Sequence, residues 1–147
     1  MYTDGSSRGN PGPGGYGTLL LFNHHTKELS QGYRLTTNNR MELMAVIAGL
    51  KALKRRDLPI HIYSDSKYVV HAVEKGWLNN WLKTGFKGKK NRDLWELYHT
   101  LAKGLNIQLH WVKGHADNPY NNRCDELATT AALGKHLLSD TGYEAGI

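Results

Sequence analysis

The apolar residues of this chain change period along its length, and the order of the changes restricts the fold to one class. Gly15 to Phe22 reads as a strand, Asn23-His24-His25-Thr26 as a hairpin turn, and Lys27 to Leu35 as the returning strand. From Asn39 the period becomes helical: Leu43, Ile47 and Leu50, with Val46 and Leu53 beside them, form one stripe that ends in Lys51, Lys54, Arg55 and Arg56. Pro59 then precedes a short alternating strand, Ile60 to Ser64, and Asp65 or Ser66 can cap a helix carrying Val69, Val70 and Val73. A Trp-rich helical turn, Trp77 to Leu82, follows. A helix with Asp93 as its N-cap, a strand at Ile107 to Val112 and a helix from near Asn121 complete the pattern. The Gly- and Pro-rich stretch Gly5 to Gly17 reads as a loop after a first short strand. The order β-β-β-α-β-α-α-α-β-α calls for a mixed sheet of five strands flanked by helices, an α/β architecture.

At 147 residues, with 39% hydrophobic and 22% charged side chains, residues 1–147 are expected to make one domain with its own core. No apolar run reaches the ~18–20 residues that span a bilayer, and Met1-Tyr2-Thr3-Asp4-Gly5 lacks the features of a secretory signal. The single cysteine, Cys124, can form neither an internal disulfide nor a thiolate zinc site. A cytoplasmic protein with no membrane partner is the expectation. The net charge of +6 favours polyanionic partners, but only the arrangement of the charges can decide that.

Four of the thirteen acidic residues resist a reading as solvated surface. Asp4 ends the first strand, Asp65 ends the strand Ile60 to Ser64, Glu42 lies beside an apolar stripe, and Asp125 follows a Gly-His loop. Strand ends of an open α/β sheet border its crevice, so Asp4 and Asp65 can share one. Carboxylates gathered there repel unless a hard cation neutralises them, and oxygen donors suit Mg²⁺ or Mn²⁺ rather than zinc.

Thr3-Asp4-Gly5-Ser6, Thr36 to Leu43 (TTNNRMEL), Ser64-Asp65-Ser66, Trp111 to Ala116 (WVKGHA) and Arg123 to Ala128 (RCDELA) resemble the successive blocks of bacterial-type ribonuclease H of type 1, in order and nearly in spacing. Asp140-Thr141-Gly142-Tyr143 is similar to the tail of close bacterial members. The resemblance implies the ribonuclease H-like fold and an endonuclease that hydrolyses the RNA strand of RNA–DNA hybrids, leaving 5′-phosphate and 3′-hydroxyl ends. It implies that Asp4, Glu42, Asp65 and Asp125 bind two Mg²⁺ ions, with Mn²⁺ as a substitute, and that His115 assists water activation or product release. Two ions ~3.5–4 Å apart suit an in-line displacement at phosphorus.

By the same resemblance Asn10, Asn38 and Asn39 contact the RNA strand, where a 2′-hydroxyl must be recognised. Thr37 and Asn91 hold a phosphate of the DNA strand. Lys67 stands where relatives have Gln, which favours a salt bridge to phosphate over groove reading. Trp77, Trp81 and Phe86, with Lys83, Lys87, Lys89, Lys90 and Arg92, form an aromatic-basic segment expected to ride on the DNA strand as a protrusion shorter than in bacterial relatives. Gly85 and Gly88 make a regular helix unfavourable there. Only three residues precede Asp4, so either the neighbouring strands lack part of their pairing upstream of Met1 or the natural chain extends further upstream. The chain is expected to act as a monomer. A nuclease of the same fold with another substrate, or a non-catalytic hybrid-binding module, stands as the alternative.

Overall fold

A computed structural model describes residues 1–114 and 117–146. Strands β1 (Tyr2–Ser7), β2 (Gly12–Phe22), β3 (His25–Thr36), β4 (Ile60–Ser64) and β5 (Ile107–Trp111) form one sheet in the order β3-β2-β1-β4-β5. The first three are antiparallel neighbours; β4 and β5 run parallel to β1. The mixed five-stranded sheet is therefore as expected.

Helices α1 (Asn38–Lys51), α2 (Lys67–Glu74), α3 (Trp77–Lys83), α4 (Arg92–Ala102), α5 (Pro119–Ala132) and the single turn α6 (Thr141–Glu144) flank it. Helices α1 and α5 cover opposite faces. Thr18 donates through Oγ1 to the Ala45 carbonyl of α1 at 2.7 Å, whereas a Cβ on the preceding Gly17 would meet Cys124 of α5. Successive residues of a strand point to opposite faces, which places the two helices on either side. The core lies on the α1 face, where Leu43, Val46, Ile47 and Leu50 meet Ile62, Val69, Trp95 and Leu109.

Three boundaries differ from the sequence reading. Strand β2 begins at Gly12, so the loop after β1 is much shorter than Gly5 to Gly17. Its glycines are strand residues against which helices lie closely, a use that composition alone mistakes for a turn. Asn91 rather than Asp93 sits at the N-cap of α4, because the Asp93 carboxylate is taken by Arg40. Helix α5 starts at Pro119, capped by Asn118, whose Oδ1 accepts from the backbone N–H groups of Tyr120 and Asn121. At the start of the chain, Met1 continues the pairing with β4: its ammonium donates to the His61 carbonyl at 2.9 Å, and its carbonyl accepts from Tyr63 at 2.8 Å. Beyond it, Leu20 to Phe22 and Ile60 border an apolar cleft of about 460 Å³.

Candidate active site

The parallel alignment of β1 and β4 brings two acids together. Thr3 pairs with Ser64, so Asp4, inside β1, and Asp65, just past the end of β4, come to the same level of adjacent strands. Glu42 arrives from the first turns of α1, and Gly5 lets it come close. A Cβ on Gly5 would overlap the backbone of Met41 and Glu42, so helix and strand touch main chain to main chain there. The Gly5 N–H donates to Asp4 Oδ1 at 2.9 Å and to Glu42 Oε1 at 2.7 Å, while Ser64 Oγ donates to Glu42 Oε2 at 3.4 Å. One carboxylate oxygen each from Asp4, Glu42 and Asp65 lies within 4.8 Å of the others. Asp125 approaches from the opposite face on α5, through Gly17, which pairs with Asp4 and lies against Cys124. It stands outside that triad, yet its charge acts on Asp4.

Asp4 and Glu42 are only 6% and 7% exposed. Burial, reinforced by the negative charges of Asp65 and Asp125, pushes Asp4 up to about 7. Glu42 is held well above the usual carboxylate range, again by burial first and by the charge of Asp4 second. Three acids converge here, Asp4 and Glu42 buried and Asp65 half-buried, so negative charge gathers where little water screens it. An all-oxygen donor set of this size fits a hard divalent cation.

The model of the RNase H family matches residues 1–133. The chain belongs to the RNase H family. It is 51% identical to the ribonuclease H of Desulforamulus reducens over 145 residues, covering 95% of this chain and 91% of that one. To the ribonuclease H of Pectobacterium carotovorum it is likewise 51% identical, over 99% of this chain and 96% of the relative. Among solved structures it is similar to LC9-RNase H1, described as a type 1 RNase H with the type 2 active-site motif, at TM-score 0.77, 30% identity, and coverage of 98% and 77%. It is also similar to LC11-RNase H1, solved in complex with RNA/DNA hybrid, at TM-score 0.62, 26% identity, and coverage of 87% and 91%. This RNase H is thus an enzyme whose acids occupy one pocket of a family fold.

The other residues singled out from the sequence fall into two groups. Asn10 Oδ1 accepts from the Asn38 N–H at 3.2 Å, and Asn38 Oδ1 accepts from the Ser7 N–H at 2.7 Å. Both amides thus hold the loop between β1 and β2 against the start of α1. Thr37 is the N-cap of α1, its Oγ1 accepting from the Arg40 N–H at 3.3 Å. Asn39, Tyr68, Trp77, Trp81, Lys89 and Asn91 line a second cleft. Asn91 sits at its base, accepting from Arg40 and donating to the Tyr68 hydroxyl.

Phe86 corrects the sequence reading: it is 5% exposed and packs in the core, with no surface to offer a substrate. Its N–H donates to the Trp81 carbonyl at 2.8 Å, and Arg92 donates to the Gly85 carbonyl at 3.2 Å. The basic segment is therefore pinned beneath its lysines by an apolar plug. His115 lies outside the described residues.

Sequence reasoning missed Arg40 and Trp111. Arg40 follows directly on Asn39 in the α1 block, but nothing in the pattern marks it as buried. Trp111 ends β5 on the face that the alternation of Ile107-Gln108-Leu109-His110 gives to buried Leu109, so the pattern points to burial although the indole is exposed. The only available signal was its place at a strand end, one step from Val112-Lys113-Gly114. Among the described residues, no helix is long and apolar enough to cross a membrane.

Proposed function

We propose that this RNase H cleaves the RNA strand of RNA–DNA hybrids, with two divalent cations, Mg²⁺ or Mn²⁺, held by Asp4, Glu42, Asp65 and Asp125. The observation that carries the reading is the convergence of three carboxylates from three separate elements within 4.8 Å, two of them buried. When bound, such cations supply an activated water and neutralise charge on the scissile phosphate, so that 5′-phosphate and 3′-hydroxyl ends result.

The chain's own residues have distinct tasks. Gly5 and Ser64 orient Asp4 and Glu42 by hydrogen bonds. Asp4 and Glu42 hold protons more firmly than ordinary carboxylates, so cation binding there would compete with protons and strengthen as pH rises. Asn10 and Asn38 spend their carbonyl oxygens inside the fold, which leaves the amide N–H₂ groups to meet a 2′-hydroxyl, with Asn39 beside them. Thr37, Asn91 and the lysines over the second cleft take phosphates of the DNA strand, and Trp77 and Trp81 pack against its sugars. A Cβ on Gly114 would stand 2.7 Å from Asp65 Oδ2; His115, the next residue in the sequence, assists water activation or product release in this reading. The enzyme works as a cytoplasmic monomer in this reading.

The test is cleavage of end-labelled hybrid, single-stranded RNA and duplex DNA side by side with Mg²⁺. Cutting confined to the RNA of the hybrid is expected. Cutting of duplex DNA would assign another substrate, and tight binding without cutting would make the protein a binding module.

A further inference from the structure

Trp111 is 45% exposed at the end of β5, an unusual position for a large indole beside a polar pocket. Two contacts tie it to its surroundings. Its Nε1–H donates to the backbone carbonyl of Asp65 at 3.1 Å. The ammonium of Lys67, two residues further on, sits over its ring, 5.1 Å from the centroid. The ladder explains the placement: Trp111 pairs with Ser64, and Val112 N–H donates to the Ser64 carbonyl, so the indole overhangs the turn from β4 into α2. That turn carries both Asp65 and Lys67.

We infer that Trp111 is a positioning residue that fixes, through one indole, the Asp65 backbone by its N–H and the Lys67 ammonium by its ring, setting an RNA-strand phosphate at a constant distance from the acid pocket. This inference rests on the proposed function above. Lysine is a point charge on a four-carbon stem that loses much rotamer freedom on binding, and a ring beneath it removes part of that freedom in advance. A hydrogen bond to the Asp65 carbonyl limits how the turn from β4 into α2 can shift. The two functions separate by chemistry: the N–H governs the acid, and the ring governs the cation.

The experiment uses three variants of the full chain. Trp111→Phe keeps a ring and loses the N–H, Trp111→Leu loses both, and Lys67→Met keeps the stem and loses the charge. Each is measured for Mg²⁺ affinity by calorimetry without substrate, for hybrid affinity in EDTA, and for kcat and KM. Trp111→Phe is expected to weaken Mg²⁺ binding and lower kcat by roughly fivefold, the effect of one net hydrogen bond, with hybrid affinity in EDTA unchanged. Lys67→Met is expected to weaken hybrid binding in EDTA and flatten its salt slope by about 0.7–0.9, with Mg²⁺ affinity unchanged. Trp111→Leu should show both losses, and adding Lys67→Met to it should cost little more hybrid affinity than Lys67→Met alone. Melting temperatures identify any variant that merely unfolds, and Trp111→Phe, at a half-exposed position, keeps an aromatic ring in place. Wild-type Mg²⁺ affinity and kcat in Trp111→Phe, or fully additive losses in the double variant, would overturn the inference. Failure of the wild type to cut hybrid would instead overturn the function on which it rests.

Discussion

Arg40 and Glu42 lie two residues apart in the first turns of α1, both buried, and their surroundings could hardly differ more. Arg40, 1% exposed, gives its guanidinium to all four carboxylate oxygens of Asp93 and Asp140 at 2.7–2.9 Å and reaches Asn91 at 3.3 Å. Asp140 is further satisfied by the Thr36 hydroxyl, and its pKa is lowered, its burial outweighed by the bonds from Arg40 and Thr36. Glu42 is met by one N–H, one distant hydroxyl and two other acids. One end of the helix face is a completed ionic clamp joining α1, α4 and the tail; the other is a deficit of positive charge. A fold tolerates the second only where the missing charge arrives from outside, and the first helps to hold the helix in place while it waits.

Neutralising one acid gives the largest expected effect. Asp65→Asn should lower kcat on hybrid by at least about a thousandfold, while the melting temperature holds or rises because a repulsion is gone. Substantial activity in that variant, read in a single-turnover assay, would break the distinction between the surroundings of Arg40 and Glu42.

Arg40→Met is expected to act in the opposite sense. Leaving Asp93 and Asp140 without their cation should cost about 3–5 kcal/mol of stability, read by urea unfolding. Activity measured well below the new melting temperature should fall far less than in Asp65→Asn. A variant as stable as the wild type would show that the clamp is ornamental.

The pH dependence sharpens the contrast in metal-free protein. Asp4 titrates near 7 when folded, against about 4 when unfolded. Between these values the folded chain keeps a proton that the unfolded chain has released. This contribution therefore favours folding at pH 5, and stability declines as pH rises through 7. Asp140 runs the other way: its contribution is present above the ordinary carboxylate value and is lost only on acidification below it. In EDTA, Asp4→Asn should accordingly melt above the wild type at pH 8, by a margin that narrows towards pH 5 and closes only below about 4. Mg²⁺ should close the gap at pH 8 by raising the wild type. Parallel melting curves for the two proteins across this range would contradict the raised affinity of Asp4 for its proton.

The smallest expected effect lies outside both clusters. Changing Lys87, Lys89 and Lys90 together to Ala should flatten the slope of log K against log salt for hybrid binding by about 2–3. The rate at saturation should hardly move. Lys89 lies over Trp81 and, with Lys90, on the second cleft, whereas Lys87 is only exposed. Single variants at Lys89 and Lys90 should thus carry more of the change than Lys87. A loss of saturating rate would join this surface to the acid pocket.

Asp65 and Glu42 were legible in the sequence because a strand end and a helix start have local signatures; Asp4, read as the end of the first strand, lies inside β1, which runs on to Ser7. The clamp was not legible. Arg40 and Asp140 stand one hundred positions apart, and nothing local distinguishes a charge that will be buried from one that will be solvated. Asp93 looked like a cap because caps and clamp partners use the same side chain. Phe86 sat among lysines and so suggested a nucleic-acid surface, although its ring points into the core. The strand from Gly12 was hidden because glycines that admit a neighbouring helix have the composition of a turn.

Gly17 has one more bearing on the chemistry. It contributes no atom to the pocket, but the missing methyl group is what allows α5 to lie on β2 opposite Asp4. It works as a spacer of zero thickness: any added side chain would lift the helix bodily and carry Asp125 away from the other three acids. In the proposed function, the tolerance of the four-acid set is therefore set by a residue whose own side is taken up by α5. Drift at that one position would leave a sound fold whose fourth acid had gone out of range.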